Sequence, residues 1–392
     1  MKVVRPVKFA YQQTPQTREL LCNFRHMIND AIRICLAENI RGRLKLRDRI
    51  YKEIQEKYGI LSRFPYPVAE VAWSIVKKHK HWHRKPFVRR LMLRMDAENF
   101  SLHHSILSLP FKKGQRILVP LRYGDYQRSF LIDADLKRGS LTMTESSVII
   151  TFSKDVTVAE PAGKIGFDLN EKSIVGSDGT KYDLSEVSRL HTLYGVRRSR
   201  FYKKHSSDRR LKQKFAGSRR ERERSRQFLH RISALIVNRA VADRKAIILE
   251  RLKGIRYAHK RGNNEASSRR RRIALWPFRQ LQSYIDCKAR WAGVNVEYVS
   301  SSYTSKTCSV CGQVNRKLKT TERSWQCPCG AMLDRDLNAA INIERRGKTR
   351  CLGEIRPGAQ DRHEAVTGNP ECGRAQAILG AEVLKHNLQV YE

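Results

Sequence analysis

The chain has 392 residues, enough for two or three domains with sizeable cores, which excludes a small disulfide scaffold. Its 78 Lys and Arg against 38 Asp and Glu leave a formal net charge of +40, which argues for a polyanionic partner, since each neutralised phosphate releases condensed counterions. A solvated surface is the plainer reading of the same charge. No apolar run approaches the roughly 18–20 residues that span a bilayer, and "MKVVRPVKFAYQQTP" lacks a signal-peptide core, so the expectation is a cytoplasmic protein without a membrane partner. Of nine cysteines, Cys308, Cys311, Cys327 and Cys329 cluster at metal-like spacing, while Cys22, Cys35, Cys287, Cys351 and Cys372 are scattered. That is the pattern of a reducing compartment with one metal site, not of a disulfide framework.

In chain order, "VVRPVKFAY" alternates as a strand, and Thr14 followed by Pro15 is a helix start. Leu20, Phe24, Met27, Ile28, Ala31 and Cys35 then recur at helical spacing and define a core face. A second helix is expected through "YPVAEVAWSIVKKHKHWHRKPFVRRLMLRM", where His79, His81 and His83 would scatter around the axis and face phosphate or solvent. From Ser101 the period changes to two. "SILSLP", "QRILVPLRY", "RSFLIDADL", "GSLTMTE" and "SVIITFSK" read as short strands of a small antiparallel barrel or sheet, which the first strand could join.

Beyond Ala162, "KIGFDLN" and "SIVGSD" read as a buried strand and its neighbour. A basic helical stretch from Arg197 to Arg226 follows, a nucleic-acid backbone contact or a solvated face, and then the amphipathic "QFLHRISALIVNRAVADR". "AIILERL" is a continuous apolar run expected of a central strand. After the basic link "KRGNNEASSRRRR" come a helix "FRQLQSYIDCKARWAG" closed by Gly293 and a strand "VNVEYVS". Strands alternating with crossover helices predict an α/β sheet domain. The tail from Gly347 carries no recognisable motif.

Two carboxylates stand out because they interrupt apolar strands: Asp168 in "IGFDLN" and Glu250 at the end of "AIILE". A buried, unpaired carboxylate is costly and tends to protonate unless a cation stabilises it. Either one alone is also explained by a strand end that reaches solvent or pairs with an arginine. In "RDLNAAINI", Asp336 or its neighbour Asp334 is placed to cap a helix. Three carboxylates from two strands and a helix start, among so many basic residues, suit a two-metal phosphodiester site. The four cysteines suit a closed tetrahedral zinc site, with a metal-free loop as the alternative.

"KIGFDLN", "IILERLKGI", "SSYTSKTCSVCG" and "DRDLNAAINI", in this order over residues 163–346, resemble the RuvC-like nuclease core of TnpB, the transposon-encoded RNA-guided DNA endonuclease. Compact type V CRISPR effectors share the order of motifs. "YQQTPQTRELL" and "FRHMINDAI" are similar to the first strand and helix of the family. The resemblance implies a multidomain α+β fold: an RNase H-like (RuvC) α/β nuclease domain over 161–300 and 335–350, and a zinc-ribbon target-nucleic-acid-binding insertion over 301–334. It further implies a β-barrel wedge domain over 1–15 and 101–160, a helical recognition domain over 16–100, and a tail over 351–392 that is a candidate for disorder.

The resemblance also assigns the catalytic, magnesium-binding carboxylates to Asp168, Glu250 and Asp336. Asp336 is preferred to Asp334 because it directly precedes "LNAA". The implied cofactors are two Mg²⁺ ions, with Mn²⁺ as a substitute, and a structural Zn²⁺ on Cys308, Cys311, Cys327 and Cys329. The second pair, Cys327-Pro328-Cys329, is one residue tighter than the Cys-x-x-Cys usual in the family, which puts the zinc in question. The implied partners are a guide RNA from the transposon end and double-stranded DNA beside a short target-adjacent motif. One monomer per RNA is favoured, the oligomeric state stays open, and the setting is the nucleoid of a prokaryote. A miniature type V CRISPR effector, a nuclease-inactive RNA-guided regulator and an unguided junction or flap nuclease are the alternatives.

Overall fold

The computed structural model describes residues 1–59, 63–79, 86–112, 114–205, 208, 210–211, 219–252, 276–319 and 322–351. The described residues form two compact units, one containing Lys2–Asp155 and the other containing residues 156–351. No described helix is long and apolar enough to cross a membrane.

The first unit is built on seven antiparallel strands: β1 (Lys2–Tyr11), β2 (Met92–Met95), β3 (Ser101–His103), β4 (Ile106–Pro110), β5 (Arg116–Arg122), β6 (Lys137–Thr144) and β7 (Ser147–Asp155). Their order is β2-β6-β7-β1-β5-β4-β3, so β1 does join the later strands, between β7 and β5. Strand β5 shows the expected alternation, burying Ile117, Val119 and Leu121 and exposing the residues between them. Strands β2 and β3 each have one neighbour among the described strands. Among the described strands the pairing is therefore a sheet, one of the two forms expected from the strand pattern, and not the barrel that the resemblance implies.

Helix α1 (Pro15–Ala37) starts as expected: the Thr14 hydroxyl accepts from the Thr17 N–H at 3.2 Å, with Pro15 in the first turn. Its predicted face, Leu20, Phe24, Met27, Ile28, Ala31 and Cys35, is buried. Three expectations need correction. The helix over 66–95 ends at Lys78 as α3 (Pro65–Lys78), and Met92–Met95 is instead strand β2, paired with β6, so the strands resume before Ser101. His79 follows α3, whereas His81 and His83 lie outside the described residues.

An unexpected helix, α2 (Arg43–Tyr58), buries Leu46, Ile50 and Ile54 at four-residue spacing beneath a highly charged surface. Finally, "RSFLIDADL" is not a strand. Helix α4 (Asp125–Ile132) forms there because Gln127 accepts from the Gly124 N–H at 3.1 Å, and Tyr126 and Phe130 meet edge-on one turn apart at 5.2 Å.

In the second unit, β8 (Gly163–Leu169), β9 (Ser173–Gly176) and β10 (Lys181–Asp183) form an antiparallel meander. Beyond α5 (Ser185–Lys204) and α6 (Arg219–Ala242), β11 (Lys245–Glu250) returns parallel to β8. Helix α7 (Phe278–Ala292), closed by Gly293 as expected, leads to β12 (Val296–Val299), which is parallel to β11. The sheet order is β10-β9-β8-β11-β12. A small hairpin, β13 (Ser324–Gln326) with β14 (Met332–Asp334), then precedes α8 (Arg335–Arg346). The link at 260–272 and the tail beyond Cys351 lie outside the described residues.

The alternation of β8 and β11 divides the sheet into two faces. Ile165, Phe167, Leu169, Ile247 and Leu249 point into the main core with Leu229, Ile236, Leu281 and Ile285 of α6 and α7. Gly166, Asp168, Ile248 and Glu250 share the other face, where Ile248 packs with Val299 and with Ile343 of α8. A β-carbon on Gly166 would stand 2.3 Å from the Ala340 carbonyl oxygen and 2.5 Å from the Glu344 nitrogen, so α8 rests directly on strand backbone. Gly166→Ala should therefore destabilise by about 1–3 kcal/mol and lower the melting temperature by about 5 °C. Gly195→Ala, inside α5 with open space around it, should instead raise stability by up to about 1 kcal/mol; both are read from thermal melts of the purified variants.

Candidate active site

Phe167 lies opposite Leu249 in the parallel pair β8/β11, and the next residue on each strand is a carboxylate. Asp168 and Glu250 therefore leave the carboxyl ends of adjacent strands side by side, where strands lie about 4.8 Å apart. Open α/β sheets place their ligand crevices at this end. Both residues are buried, 6% and 7% exposed, which excludes the reading of either as a strand end that reaches solvent.

Helix α8 supplies the third carboxylate. From Gly166 to Asp168 is about 6.6 Å of strand, and from Ala340 back to Asp336 is about 6 Å of helix. The contact at Gly166 thus carries Asp336 toward Asp168, and the Asp336 charge acts on it. The capping question resolves in favour of Asp334, whose side chain accepts from the backbone N–H groups of Asp336 at 3.0 Å and Leu337 at 2.8 Å. Asp336 has no part in the cap. Its carboxylate meets Nη1 of Arg323 at 3.3 Å, and Arg323 is itself largely exposed.

Burial, then the charges of Glu250 and Asp336, push Asp168 up to about 8, against a 2.7 Å hydrogen bond from Asn170 and the pull of Arg335. Burial likewise raises Glu250, against the Thr304 hydroxyl, which donates to Oε1 at 2.7 Å, and the charge of Arg346. The carboxylates are thus short of positive charge. An all-oxygen donor set of this kind fits a hard divalent cation such as Mg²⁺.

The four predicted cysteines also converge, their sulfurs all within 4.8 Å of one another. They are the only such group of three or more metal-ligating residues among the described ones. Cys308 and Cys329 sulfurs are 3.9 Å apart and those of Cys311 and Cys327 are 3.5 Å apart, too far for disulfides of about 2.05 Å. A tetrahedral ion with bonds of about 2.3 Å sets its sulfurs about 3.8 Å apart, so the cluster is compatible with zinc.

The tightened Cys327-Pro328-Cys329 pair still delivers both sulfurs. Gly330 makes the turn at φ +90°, its N–H donating to the Cys327 carbonyl at 2.9 Å. Burial pushes the Cys308 thiol up, but backbone N–H groups of Cys311 and Val310 outweigh it and bring the thiol to about 7. Cys327 is helped by the Cys329 N–H, yet burial and the three neighbouring sulfurs hold it up at about 12. Complete ionisation of the four therefore needs a cation among them.

A family model described as Cas12f1-like, TNB domain matches residues 278–343, which include all four cysteines and Asp336. A TnpB-like protein of Methanocaldococcus jannaschii is 32% identical over 258 residues, covering 61% of this chain and 89% of that one. The chain belongs to the TnpB-like family. A CRISPR-associated endodeoxyribonuclease Cas12f1 from an uncultured archaeon is 24% identical over 245 residues, 56% of this chain and 45% of the relative. Among solved structures, a Cas12f1–sgRNA–target DNA complex superposes with a TM-score of 0.54 at 14% identity, covering 83% of this chain and 81% of that one. The TnpB-like chain thus shares a mixed α/β, multidomain fold with Cas12f1.

Several polar residues of this TnpB-like site escape a reading of charge and spacing. Asn170 and Thr304 are ordinary polar residues in sequence, yet each donates to a buried carboxylate. Asn338 and Asn342, one turn apart on α8, are buried and hold the loop that leads into Cys308. Two asparagines at that spacing on an otherwise apolar helix face were the available signal. In the basic stretch from Arg197 to Arg226, Arg197, Arg200, Arg220, Arg222, Arg224 and Arg226 are exposed. Arg198 instead turns inward to Glu221, which His191 also meets at 2.8 Å. Residues 206–207, 209 and 212–218 of that stretch lie outside the described ones.

Asp168 keeps its proton to about pH 8 when folded but releases it near its ordinary value of 3.8 when unfolded. Between these values the folded state binds more protons, so the metal-free protein loses stability as pH rises through this window. Asp168→Asn removes that dependence. Its melting temperature in a chelating buffer should match wild type near pH 4 and exceed it at pH 8, with a gap growing by up to about 1.36 kcal/mol per pH unit.

Proposed function

We propose that this chain is an RNA-guided DNA endonuclease that cleaves double-stranded DNA beside a short target-adjacent motif, as part of a transposable element. The observation that carries the reading is the burial of Asp168 and Glu250 side by side at the carboxyl ends of β8 and β11, with Asp336 brought toward them by α8. The meander β10-β9-β8 followed by parallel β11 and β12 supports a RuvC-like, RNase H-like reading of this unit. The guide RNA and target DNA are supported by the net charge of +40 and by the sgRNA and DNA in the Cas12f1 complex.

The domain scheme is proposed with the boundaries of the sequence reading, except that wedge-type strands resume at Met92. Two divalent cations, when bound, would activate an attacking water and stabilise the leaving oxygen of an in-line displacement. Asp168, Glu250 and Asp336 would hold them, with Asp168 feeling the charge of the other two. Asn170 and Thr304 each donate to one oxygen of Asp168 and Glu250, so the second oxygen of each would be available to a cation. The four thiolates are read as a closed structural zinc site with no open position for chemistry.

Full-length protein expressed with its native flanking DNA should carry a discrete RNA, and the complex should cut a matching plasmid in Mg²⁺ and not in EDTA. Asp168→Ala, Glu250→Ala and Asp336→Ala should each lower the rate by about 10²–10⁴-fold while retaining the RNA. Asp334→Ala should cost about 1 kcal/mol of stability and leave cleavage within a few-fold of wild type. Absence of a specific RNA, or full cutting by Asp168→Ala, would sink the reading. A repeat array beside the gene, instead of transposon ends, would identify the CRISPR-effector alternative.

Elemental analysis of the purified chain should find one zinc. Cys329→Ser should lose it and melt at a lower temperature, and a chain that purifies without zinc at full stability would contradict the assignment.

A further inference from the structure

We infer that Thr304 is a positioning residue through which the four-cysteine cluster sets the metal affinity of the carboxylate site, an inference that rests on the proposed role of Glu250. A chain of hydrogen bonds connects the two places. Thr304, 3% exposed, donates its hydroxyl to Glu250 Oε1 at 2.7 Å. Its carbonyl accepts from Asn342 Nδ2 at 2.9 Å, and the same nitrogen donates to the Thr307 carbonyl at 2.6 Å. That carbonyl also accepts from Asn338 Nδ2 at 2.8 Å, while Asn338 Oδ1 accepts from the Ser309 N–H at 2.8 Å. Ser309 follows Cys308, whose sulfur belongs to the cluster, and both are buried.

The loop 304–309 is a turn with one bridge, from Thr307 to Val314, and the Thr307 N–H donates to the Tyr303 carbonyl at 2.9 Å. The cysteine cluster holds it at one end, the two α8 asparagines hold it along its length, and its other end carries the hydroxyl that orients Glu250. A carboxylate with a hydrogen-bond donor on one oxygen has a fixed plane, and its second oxygen is presented in one direction. Without that donor, Glu250 keeps its place on β11 but not its orientation. The same helix presents Asp336 at its amino end and grips the loop through Asn338 and Asn342, so the cluster braces the two carboxylates through shared parts. Removing the thiolate-bound ion frees the Cys308 end of the loop, and the loss is felt at Glu250 through Thr304.

The test is a Mn²⁺ titration of the full-length, zinc-loaded protein followed by electron paramagnetic resonance, which reads occupancy without cleavage. Thr304→Val should weaken Mn²⁺ binding by about 10-fold, the lower range for loss of a residue supporting a metal ligand, and Thr304→Ser should restore it to within about 2-fold. Cys329→Ser should weaken binding similarly in the wild-type background and add little on top of Thr304→Val, because both cut one chain. Asn342→Ala, which cuts the chain further from Glu250, gives the same comparison should Thr304→Val fail to fold.

Wild-type affinity in Thr304→Val overturns the positioning role, and additive effects of Thr304→Val and Cys329→Ser overturn the coupling. Unchanged Mn²⁺ binding in Asp168→Asn would instead show that the carboxylate site itself is misassigned, a separate result.

Discussion

Gly166 has no side chain, and α8 lies where one would be. That close approach sets the height and register of the helix over β8, and the position of the third carboxylate follows from it. A strand that carried any larger residue there would hold α8 away from the sheet, and the Asp336 end of the helix would swing off Asp168. The site thus depends on a backbone contact two residues from the nearest charge. The carboxylates are then placed by rigid elements, two parallel strands and a helix, instead of by loops.

The same unit concentrates acidic groups with too few cations beside them in two places. Three carboxylates gather at the end of β8 and β11, and four thiols gather beside the small hairpin. In each, burial and like-charge neighbours hold groups in their neutral form until a cation arrives. The rest of the chain is so rich in lysine and arginine that this arrangement is selective. The basic residues nearest the carboxylates, Arg323, Arg335 and Arg346, lower their charge cost only in part. Electrostatic strain of this kind marks places where a protein retains affinity for an ion at the expense of its own stability.

Much of this was legible in the sequence because it is written in residue types that rarely occur together. An aspartate inside "IGFDLN", a glutamate closing "AIILE" and four paired cysteines each break a local expectation, and the structure sets the two carboxylates on adjacent strands and the four sulfurs within 4.8 Å of one another. The errors fell where local pattern and tertiary context disagree. "FLI" is a short apolar run of the kind expected of a strand, yet the Tyr126–Phe130 contact and the Gln127 cap make it a helix. Helix α2 was hidden because its three buried residues are separated by charged ones, and "MLRM" reads equally as helix or strand until β6 pairs with it. The polar support of the site was invisible for a different reason. Threonine and asparagine are common everywhere, and only burial distinguishes Thr304, Asn338 and Asn342 from their solvated counterparts.

The division of labour within "LDRD" has a consequence for how such a protein can change over time. Asp334 caps the amino end of the helix without help from the Asp336 side chain, so a residue other than proline at position 336 leaves the cap in place. On the proposed reading, a single substitution there would silence cutting without disturbing the architecture that holds RNA and DNA. A lineage built this way stands one codon from a programmable binder, and its fold would offer selection little resistance to that step.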